Sequence, residues 1–295
     1  MANRLVRPNT TERGTHRRRT FARAVALACA VAVAATTAMT GCADSDAAAN
    51  EVIVTGSTTM LPIAEIAGEM FHDRYPDKKV LVSGLGSSAG IETVAGGSSD
   101  IGTSSRDLKP SEEQLGLHDT PIAYDAIAVI VHPGNPIEAL TLDEVRAIFS
   151  GEIENWSELG GADKKIGLVN RDEASGTREA FHNIVMGDTP FDRTAAVLPG
   201  TGQVRSVVAN APGAIGYISL GFVSDEVKAV TIDGVTPTAE AVITGEYPIQ
   251  RLLHFFTVGP PAGLAQDYID FVLSSAVQDS IVKDAGFTSI IGGDR

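Results

Sequence analysis

The chain has 295 residues, of which 43% are hydrophobic and 20% are charged, and its formal net charge is -14. This length suffices for one large hydrophobic core or two modest ones. The acidic balance argues against a nucleic-acid partner, because contacts with a nucleic-acid backbone need clustered Lys and Arg.

The first 42 residues have the layout of an export signal. A polar stretch with Arg17, Arg18 and Arg19 precedes an apolar run of small residues from Ala24 to Met39. This run is shorter than the roughly 18 apolar residues that a membrane helix needs, and we expect no membrane helix in the mature chain. Residues 18–21 resemble a twin-arginine signal, and an ordinary Sec signal is the alternative. Both predict export.

Cys42 is the predicted site of lipid attachment. Small residues precede it and the polar segment 43–46 follows, which resembles the cleavage box of bacterial lipoproteins, with Met39 where that box prefers Leu. Cleavage without lipidation is the alternative. Cys29 lies in the discarded run, so we expect no disulfide in the mature chain. Loss of residues 1–42, with seven Arg and one Glu, lowers the formal net charge from -14 to -20.

Residues 43–50 are predicted to form a tether, and the ordered part begins with a buried strand at Glu51–Thr55. A series of strand, loop and helix follows, which indicates an α/β fold with a mostly parallel sheet covered by helices. The other predicted strands are 80–82, 100–102, 124–131, 166–169 and 214–218, and the predicted helices are 63–71, 91–95, 142–149, 176–186, 238–244, 262–273 and 275–285.

Pro and Gly in residues 132–136 indicate that the chain leaves one lobe there, and Tyr247–Ile249 marks the return. The predicted lobes are therefore 51–132 plus 250–295 and 133–249. Thr141 and Glu144 form a capping-box pattern at the first helix of the second lobe.

Three loops combine glycine with small hydroxyl residues, each after a strand and at the start of a helix: Gly56–Thr59, Gly84–Gly90 and Ala174–Thr177. Backbone amides and hydroxyls at such positions suit an oxyanion, although Ser and Thr also cap helices that bind nothing. Arg171 can donate two parallel bonds to an oxyanion, and Glu173 can orient it or accept a ligand proton. A surface ion pair of Arg171 and Glu173 is the alternative.

Five segments occur in a characteristic order: GSTTMLP at 56–62, GLGSSAG at 84–90, DIGTSSR at 100–106, RDEASGTR at 171–178 and AIGY at 214–217. Together they resemble the PstS family, the phosphate-binding proteins of bacterial phosphate ABC transporters, over residues 51–291. The resemblance implies a two-lobed periplasmic binding protein-like fold of type II, with the ligand cleft between the lobes. It also implies a monomer, anchored outside the cell membrane, that delivers inorganic phosphate to a permease and ATPase.

The resemblance places the phosphate site on residues that match the family's motifs. Glu173 matches an acidic residue that pairs with the family's arginine. Some members have, at the position of Ser105, an aspartate that accepts the proton of hydrogen phosphate and disfavours sulfate, so Glu173 and Asp100 become the candidate acceptors here. The expected phosphate-binding residues are Ser57, Thr58, Ser87, Ser105, Arg106, Arg171, Glu173, Ser175, Gly176 and Thr177.

Other functions fit the sequence less well. Gly86, Ser88 and Gly90 have the spacing of a hydrolase nucleophile elbow, and His254 lies late enough to complete a triad. The same glycines and serines fit an anion-binding loop, so we expect no enzyme activity. The histidines have no metal-binding spacing, and we expect no metal or cofactor. A binding protein for sulfate or molybdate, or a phosphate sensor without a transport role, is the alternative.

Overall fold

The computed structural model describes residues 50–291. The predicted signal peptide 1–42, Cys42 and the tether residues 43–49 lie outside the described residues. Within residues 50–291, no helix combines the length and the apolar character needed to cross a bilayer.

Strands and helices alternate over most of the described chain. β1 (Glu51–Gly56) buries Val52 and Val54, as its apolar run predicts. The strands after it are β2 (Lys79–Gly84), β3 (Ile101–Ser104), β4 (Leu117–Val131), β5 (Ala139–Leu140), β6 (Gly167–Arg171), β7 (Ala196–Leu198), β8 (Ala214–Ser219), β9 (Lys228–Ala229), β10 (Thr231–Ile232), β11 (Gln250–Val258) and β12 (Thr288–Ser289).

Most helices bury an apolar face. α1 (Leu61–Arg74) buries Ile63, Ala67 and Phe71, which recur with the period of a helix. The others are α2 (Ser87–Ala95), α3 (Pro110–Glu113), α4 (Leu142–Ser150), α5 (Gly176–Phe181), α6 (Thr201–Asn210), α7 (Ala239–Ile243), α8 (Gly263–Val272) and α9 (Ser275–Val277). Short 3₁₀ turns lie at Trp156–Leu159 and Leu220–Phe222, and π-helical turns at His182–Met186 and Gln278–Val282.

One mixed sheet runs through the described chain in the order β2-β1-β3-β11-β4-β8-β6-β7. β1 pairs with β2 and β3 in parallel, and β6 pairs with β7 and β8 in parallel. Between these groups, β11 pairs antiparallel over its whole length with residues 117–126 of β4, and the rest of β4 pairs with β8. Each end of the sheet is therefore a parallel strand and helix unit, and β4 and β11 join the two units.

Two main hydrophobic cores lie along the sheet. β4 supplies Ile122 and Ala123 to the first core and Ala126 and Ile127 to the second. The first core also contains Val54, Phe71, Ile101, Leu253, Phe255 and Tyr268. The second contains Phe149, Trp156, Phe181, Tyr217 and Ile249. We call the parts built around the first and second cores lobe 1 and lobe 2. This arrangement agrees with the predicted α/β fold of two lobes.

The predicted lobe boundaries at residues 132 and 250 stay a prediction. The cores change inside β4, between Ala123 and Ala126, and around the start of β11, between Ile249 and Leu253. The chain thus passes from one lobe to the other within paired strands, and the Pro and Gly residues at 132–136 come only after β4 has ended.

The capping box predicted at Thr141 is confirmed. The Thr141 hydroxyl accepts a bond from the Glu144 amide at 3.1 Å, and the Glu144 carboxylate accepts one from the Thr141 amide at 2.7 Å. Gly151, with φ of +83°, ends α4 in the left-handed conformation that glycine adopts without strain. Local sequence therefore defines both ends of α4.

Other predicted elements differ from the structure. The helix predicted over 176–186 is α5 followed by a π-helical turn, and the one predicted over 275–285 is α9 followed by another such turn. The sequence analysis did not predict β7, α6 and β11, nor the short elements α3, β5, β9, β10 and β12. α6 has a glycine at its N-cap and no acidic residue in its first turn, so it lacks the usual start signals. β11 begins with the polar residues Gln250 and Arg251, so its sequence does not start like that of a buried strand.

Candidate functional site

The loop after β1 packs tightly against the end of β3. The Ser57 amide donates to the Thr103 carbonyl at 3.0 Å, and the Thr59 amide donates to the Ser57 hydroxyl at 3.2 Å. Gly56 has φ of +147°, and a Cβ there would lie 2.1 Å from the Thr103 carbonyl oxygen. Only glycine fits, and the close approach holds the Ser57 hydroxyl beside the end of β3.

The glycine-rich loop after β2 reaches lobe 2. Gly86 has φ of +98°, and a Cβ there would lie 2.7 Å from the Ala174 carbonyl oxygen. The Ser88 amide donates to that same carbonyl at 3.1 Å. The loop at Gly84–Gly90 and the loop at Ala174–Thr177 are therefore in backbone contact across the two lobes.

Hydroxyl side chains from both lobes meet where these loops converge. In lobe 1, the Ser57 hydroxyl donates to Ser105 Oγ at 2.9 Å, and the Ser105 amide donates to Ser87 Oγ at 3.1 Å. Across the lobes, Thr59 Oγ1 lies 3.0 Å from Thr177 Oγ1. We call the group the hydroxyl cluster, and its members are Ser57, Thr58, Thr59, Ser87, Ser105, Thr177 and Thr201.

Gly176 lies against the cluster from lobe 2. A Cβ at this position would stand 2.2 Å from Ser87 Oγ and 2.9 Å from Ser105 Oγ, so any side chain would collide with both. The adjacent Ser175 caps α5 by accepting a bond from the Arg178 amide at 3.2 Å. Gly176 thus contacts the cluster and Thr177 belongs to it, whereas the Ser175 hydroxyl caps the helix.

Arg171 is the guanidinium of the cluster, and it is 2% exposed. It donates from Nη1 to Thr201 Oγ1 at 3.1 Å and from Nη2 to Thr58 Oγ1 at 3.2 Å. Its remaining bonds go to the carbonyls of Leu198 and Pro199 at 3.1 and 2.9 Å. Burial lowers the pKa of Arg171. Since its direct partners are neutral, its positive charge remains available to an anion.

The expected pairing of Glu173 with Arg171 is wrong. Glu173 is exposed, and Arg171 makes its bonds to hydroxyls and carbonyls. The cause is the turn before α5, in which the Ser175 amide donates to the Asp172 carbonyl and residue 173 lies on the outside. Asp100, the other candidate acceptor, is also exposed and accepts a bond from the Ile53 amide at 2.7 Å. It precedes β3, whereas the cluster lies where β3 ends.

Arg106 is buried, but carboxylates hold its guanidinium. Glu112 accepts two bonds from it at 2.7 and 2.8 Å, and Glu179 Oε2 of lobe 2 lies 3.0 Å from its Nε. Its only link toward the cluster loops among the described residues is a bond to Ser88 Oγ at 3.3 Å. Carboxylates thus balance the guanidinium charge of Arg106, and direct binding of the anion by Arg106 stays a prediction.

A buried ion pair beneath the cluster was not predicted from the sequence. Arg251 donates to Asp125 Oδ2 from Nε at 3.0 Å and from Nη2 at 2.8 Å, and the Ser219 hydroxyl donates to Asp125 Oδ1 at 2.7 Å. Arg251 also donates to the Ser105 carbonyl at 3.0 Å. The sequence does hold one signal for this pair, a charged residue in each of two largely apolar strands. Burying such charges is costly unless they pair with each other.

Burial acts on both members of this pair. It raises the pKa of the Asp125 carboxyl and lowers the pKa of the Arg251 guanidinium, and the attraction between the two opposes each change. The hydrogen bond from Ser219 further favours the charged carboxylate. Thr201 was not predicted, and Thr59 was placed in the first loop but not among the ligand residues, because the partners of both lie far away in sequence.

The sequence of this chain is similar to those of known binding proteins. A family model described as a PBP superfamily domain matches residues 41–276. The phosphate-binding protein PstS of Bacillus subtilis is 37% identical over 247 residues, which cover 82% of each chain. The chain belongs to the PstS family. PstS of Borreliella burgdorferi is 32% identical over 255 residues, covering 82% of this chain and 91% of that protein.

Solved structures agree with this family assignment. An ABC transporter substrate-binding protein from Clostridium perfringens, crystallised with bound phosphate, matches with a TM-score of 0.79 and 40% identity, covering 82% of this chain and all of that one. An ABC-type phosphate transport receptor from Vibrio cholerae matches with a TM-score of 0.68 and 30% identity, covering 80% and 99%. The predicted two-lobed periplasmic binding protein-like fold is confirmed.

The geometry of this PstS-family chain gives the nucleophile-elbow alternative no support. Ser88 Oγ accepts a bond from Arg106, while His254 lies 2.8 Å from Asp119 Oδ1 and stacks on Phe256. Among the described residues, Ser88 and His254 share no contact, and no group of three or more His, Cys, Asp or Glu side chains is placed to hold a metal ion.

Proposed function

We propose that this protein captures inorganic phosphate between its two lobes and delivers it to the membrane permease of an ABC importer. The observation that carries the proposal is the hydroxyl cluster closed over by Arg171, with contributions from both lobes. Such a cluster of neutral donors with one unneutralised guanidinium is suited to a small tetrahedral oxyanion. Relatives named phosphate-binding protein PstS support phosphate as that oxyanion.

In the proposed complex, hydroxyls and backbone amides surround the ligand and Arg171 supplies the charge. Lobe 1 contributes the hydroxyls of Ser57, Thr58, Ser87 and Ser105, and lobe 2 contributes Arg171 with the loop that follows it. Within that loop, Gly176 and Thr177 offer backbone amides and a hydroxyl, and Ser175 offers its amide while its hydroxyl caps α5. No covalent step is required.

Closure of the lobes completes this site. Thr58 and Thr201 lie 3.1 Å apart across the lobes, and Lys109 and Arg106 of lobe 1 lie 2.9 and 3.0 Å from Glu179 of lobe 2. Closing expels water, and each donor gains strength in the lower local dielectric. We propose that β4 and β11 bend to allow this motion, because the chain crosses between the lobes within them.

We further propose that the protein acts outside the cell membrane as a monomer, tethered by a lipid on Cys42, with a permease and ATPase as partners. The sequence pattern around Cys42 and the relatives' names support this. Metabolic labelling with a fatty-acid probe tests the anchor: label on the wild-type chain that is absent from Cys42→Ala is expected. Equal labelling of both would refute lipid attachment at Cys42.

Calorimetric titration of the full chain with inorganic phosphate tests the proposed ligand. We expect saturable binding, weakened at least tenfold by Arg171→Gln, because a charge-assisted hydrogen bond contributes about 1.5–3 kcal/mol. Arg193→Gln is the control, since Arg193 is an exposed arginine of the same lobe. A wild-type chain that does not bind phosphate would refute the function, and an unchanged Kd for Arg171→Gln would refute the site.

A further inference from the structure

We propose that Asp125 and Arg251 are positioning residues of the anion site, which orient the hydroxyl cluster as hydrogen-bond donors so that the site selects its oxyanion by charge. This inference rests on the proposed function and deepens it. It concerns which forms of phosphate, and which competing oxyanions, the site takes.

The pair lies where the two lobes and the site meet. Asp125 and Arg251 are direct partners in the register of β4 and β11, at the point where the hydrophobic core changes from lobe 1 to lobe 2. Asp125 is 1% exposed and Arg251 9%. Ser219, at the end of β8 in lobe 2, holds the second carboxylate oxygen. Desolvating two charges is costly even when they pair, so stability alone does not explain this pair.

Arg251 bonds to the cluster from below. Its Nη1 donates to the Ser105 carbonyl at 3.0 Å, which fixes the backbone of a residue whose hydroxyl and amide belong to the cluster. Its Nη2 donates to Thr59 Oγ1 at 3.4 Å. Asp125 in turn holds Arg251 in one orientation through two bonds. The pair therefore fixes the position of the Ser105 backbone and of the Thr59 hydroxyl.

The direction of these bonds polarises the cluster. A guanidinium has only donors, so each hydroxyl oxygen that faces one acts as acceptor there and turns its proton elsewhere. Thr59 accepts from Arg251 and lies 3.0 Å from Thr177, toward which its proton can point. Thr58 and Thr201 likewise accept hydrogen bonds from Arg171. The three hydroxyls thus keep their protons for partners other than the guanidiniums, and their nearest hydroxyl neighbours lie across the lobes.

Such a site favours ligand oxygens that carry no proton. Monobasic phosphate brings two P–OH groups that need acceptors, dibasic phosphate brings one, and sulfate brings none. Glu173 and Asp100 are exposed, and Asp125 already accepts from Arg251 and Ser219. The charged groups around the cluster are Arg171 and Arg251, with Asp125 behind Arg251 and Asp172 acting on Arg171. Dibasic phosphate should therefore bind more tightly than monobasic, and sulfate should compete.

Calorimetry of the full chain with inorganic phosphate and with sulfate, at about pH 5 and about pH 8, tests this inference, because the second proton of a phosphate group leaves between these values. For the wild type, we expect phosphate affinity to rise at least threefold with pH. Sulfate affinity should be the same at both values and within about tenfold of phosphate. Sulfate that fails to compete at either pH would overturn the inference.

The double variant Asp125→Asn with Arg251→Gln removes both charges while keeping similar shapes. We expect at least tenfold weaker binding of both oxyanions and a smaller change of phosphate affinity with pH, because the hydroxyls become free to accept. Arg251→Lys keeps the charge but not the fork of donors, and should lie between the two. Melting temperature is followed throughout, and Arg193→Gln is the matched control.

The outcomes distinguish failure of the proposed function from failure of the role proposed for Asp125 and Arg251. If the wild type binds neither oxyanion, the proposed function fails. If Arg171→Gln abolishes binding while the folded double variant keeps wild-type affinity and pH dependence, the role of the pair is refuted and the site stands. Should the double variant not fold, Arg251→Lys decides: wild-type affinity and wild-type preference between phosphate and sulfate would refute the role.

Discussion

Replacing Gly176 by alanine should prevent the lobes from closing while leaving each lobe folded. The added Cβ would stand 2.2 Å from Ser87 Oγ and 2.8 Å from Ser87 Cβ, distances that no real Cβ tolerates. Ser87 is fully buried and cannot swing away. Overpacking of this kind costs about 1–3 kcal/mol, which corresponds to about 5- to 150-fold in Kd if the whole cost falls on closure.

The cost should fall on closure because the collision is between lobes. A slight separation relieves it without disturbing either core, so the melting temperature should change little. Titration with phosphate and thermal unfolding are measured on the same sample. Gly202→Ala is the control, since a Cβ there meets nothing within 4 Å. Wild-type phosphate affinity in a folded Gly176→Ala variant would show that Gly176 and Ser87 do not approach in the bound state.

Three other predictions concern the ion pairs and the lobe 2 core. Glu179→Gln should weaken phosphate binding about three- to tenfold at low salt and less at high salt, because it removes the contacts of lobe 2 with Arg106 and Lys109; titrations at two salt concentrations, with the exposed Glu152→Gln as control, measure this. An effect independent of salt would contradict it. Phe181→Ala should lower the free energy of unfolding by about 3–5 kcal/mol in urea, since Phe181 is fully buried and stacks on Tyr217 at 4.0 Å; a loss below about 1 kcal/mol would contradict this packing. Burial raises the pKa of Glu112, but the hydrogen bonds from Arg106 and from the Lys109 amide outweigh it and hold this pKa below the ordinary 4.5. Glu112 therefore stabilises the fold above pH 4.5 and loses this effect as pH falls through the lowered pKa. The stability difference between wild type and Glu112→Gln should shrink accordingly in acid, and a difference that stays constant would refute the pairing.

The local parts of the site follow from sequence. β1 contains an apolar run and β6 begins in the predicted apolar segment 166–169, and the glycine and hydroxyl residues after them are the residue types that tight turns and helix starts require. Ser57, Ser87, Ser105, Arg171 and Thr177 were predicted on these grounds together with the family resemblance, and the structure brings them together.

The remaining parts depend on tertiary contacts that no local pattern reports. Arg251 and Asp125 are 126 residues apart, and only the register of β4 and β11 brings them together. Arg106 was predicted as an anion ligand because it follows Ser105, and its contact with Glu179 of lobe 2 has no local signal in the sequence. Glu173 looked like a partner of Arg171 because it is close in sequence, yet the turn before α5 directs it to solvent.

The passage of both crossing strands through the middle of one sheet also sets how relatives can be recombined. A chimera that takes lobe 2 from another protein needs two junctions, one in β4 and one near the start of β11, and its new strands must pair with each other. If one junction lies before Asp125 and the other before Arg251, the carboxylate and the guanidinium come from different parents. Junctions placed so that both residues share a parent keep the pair intact, and such chimeras should be the ones that still bind.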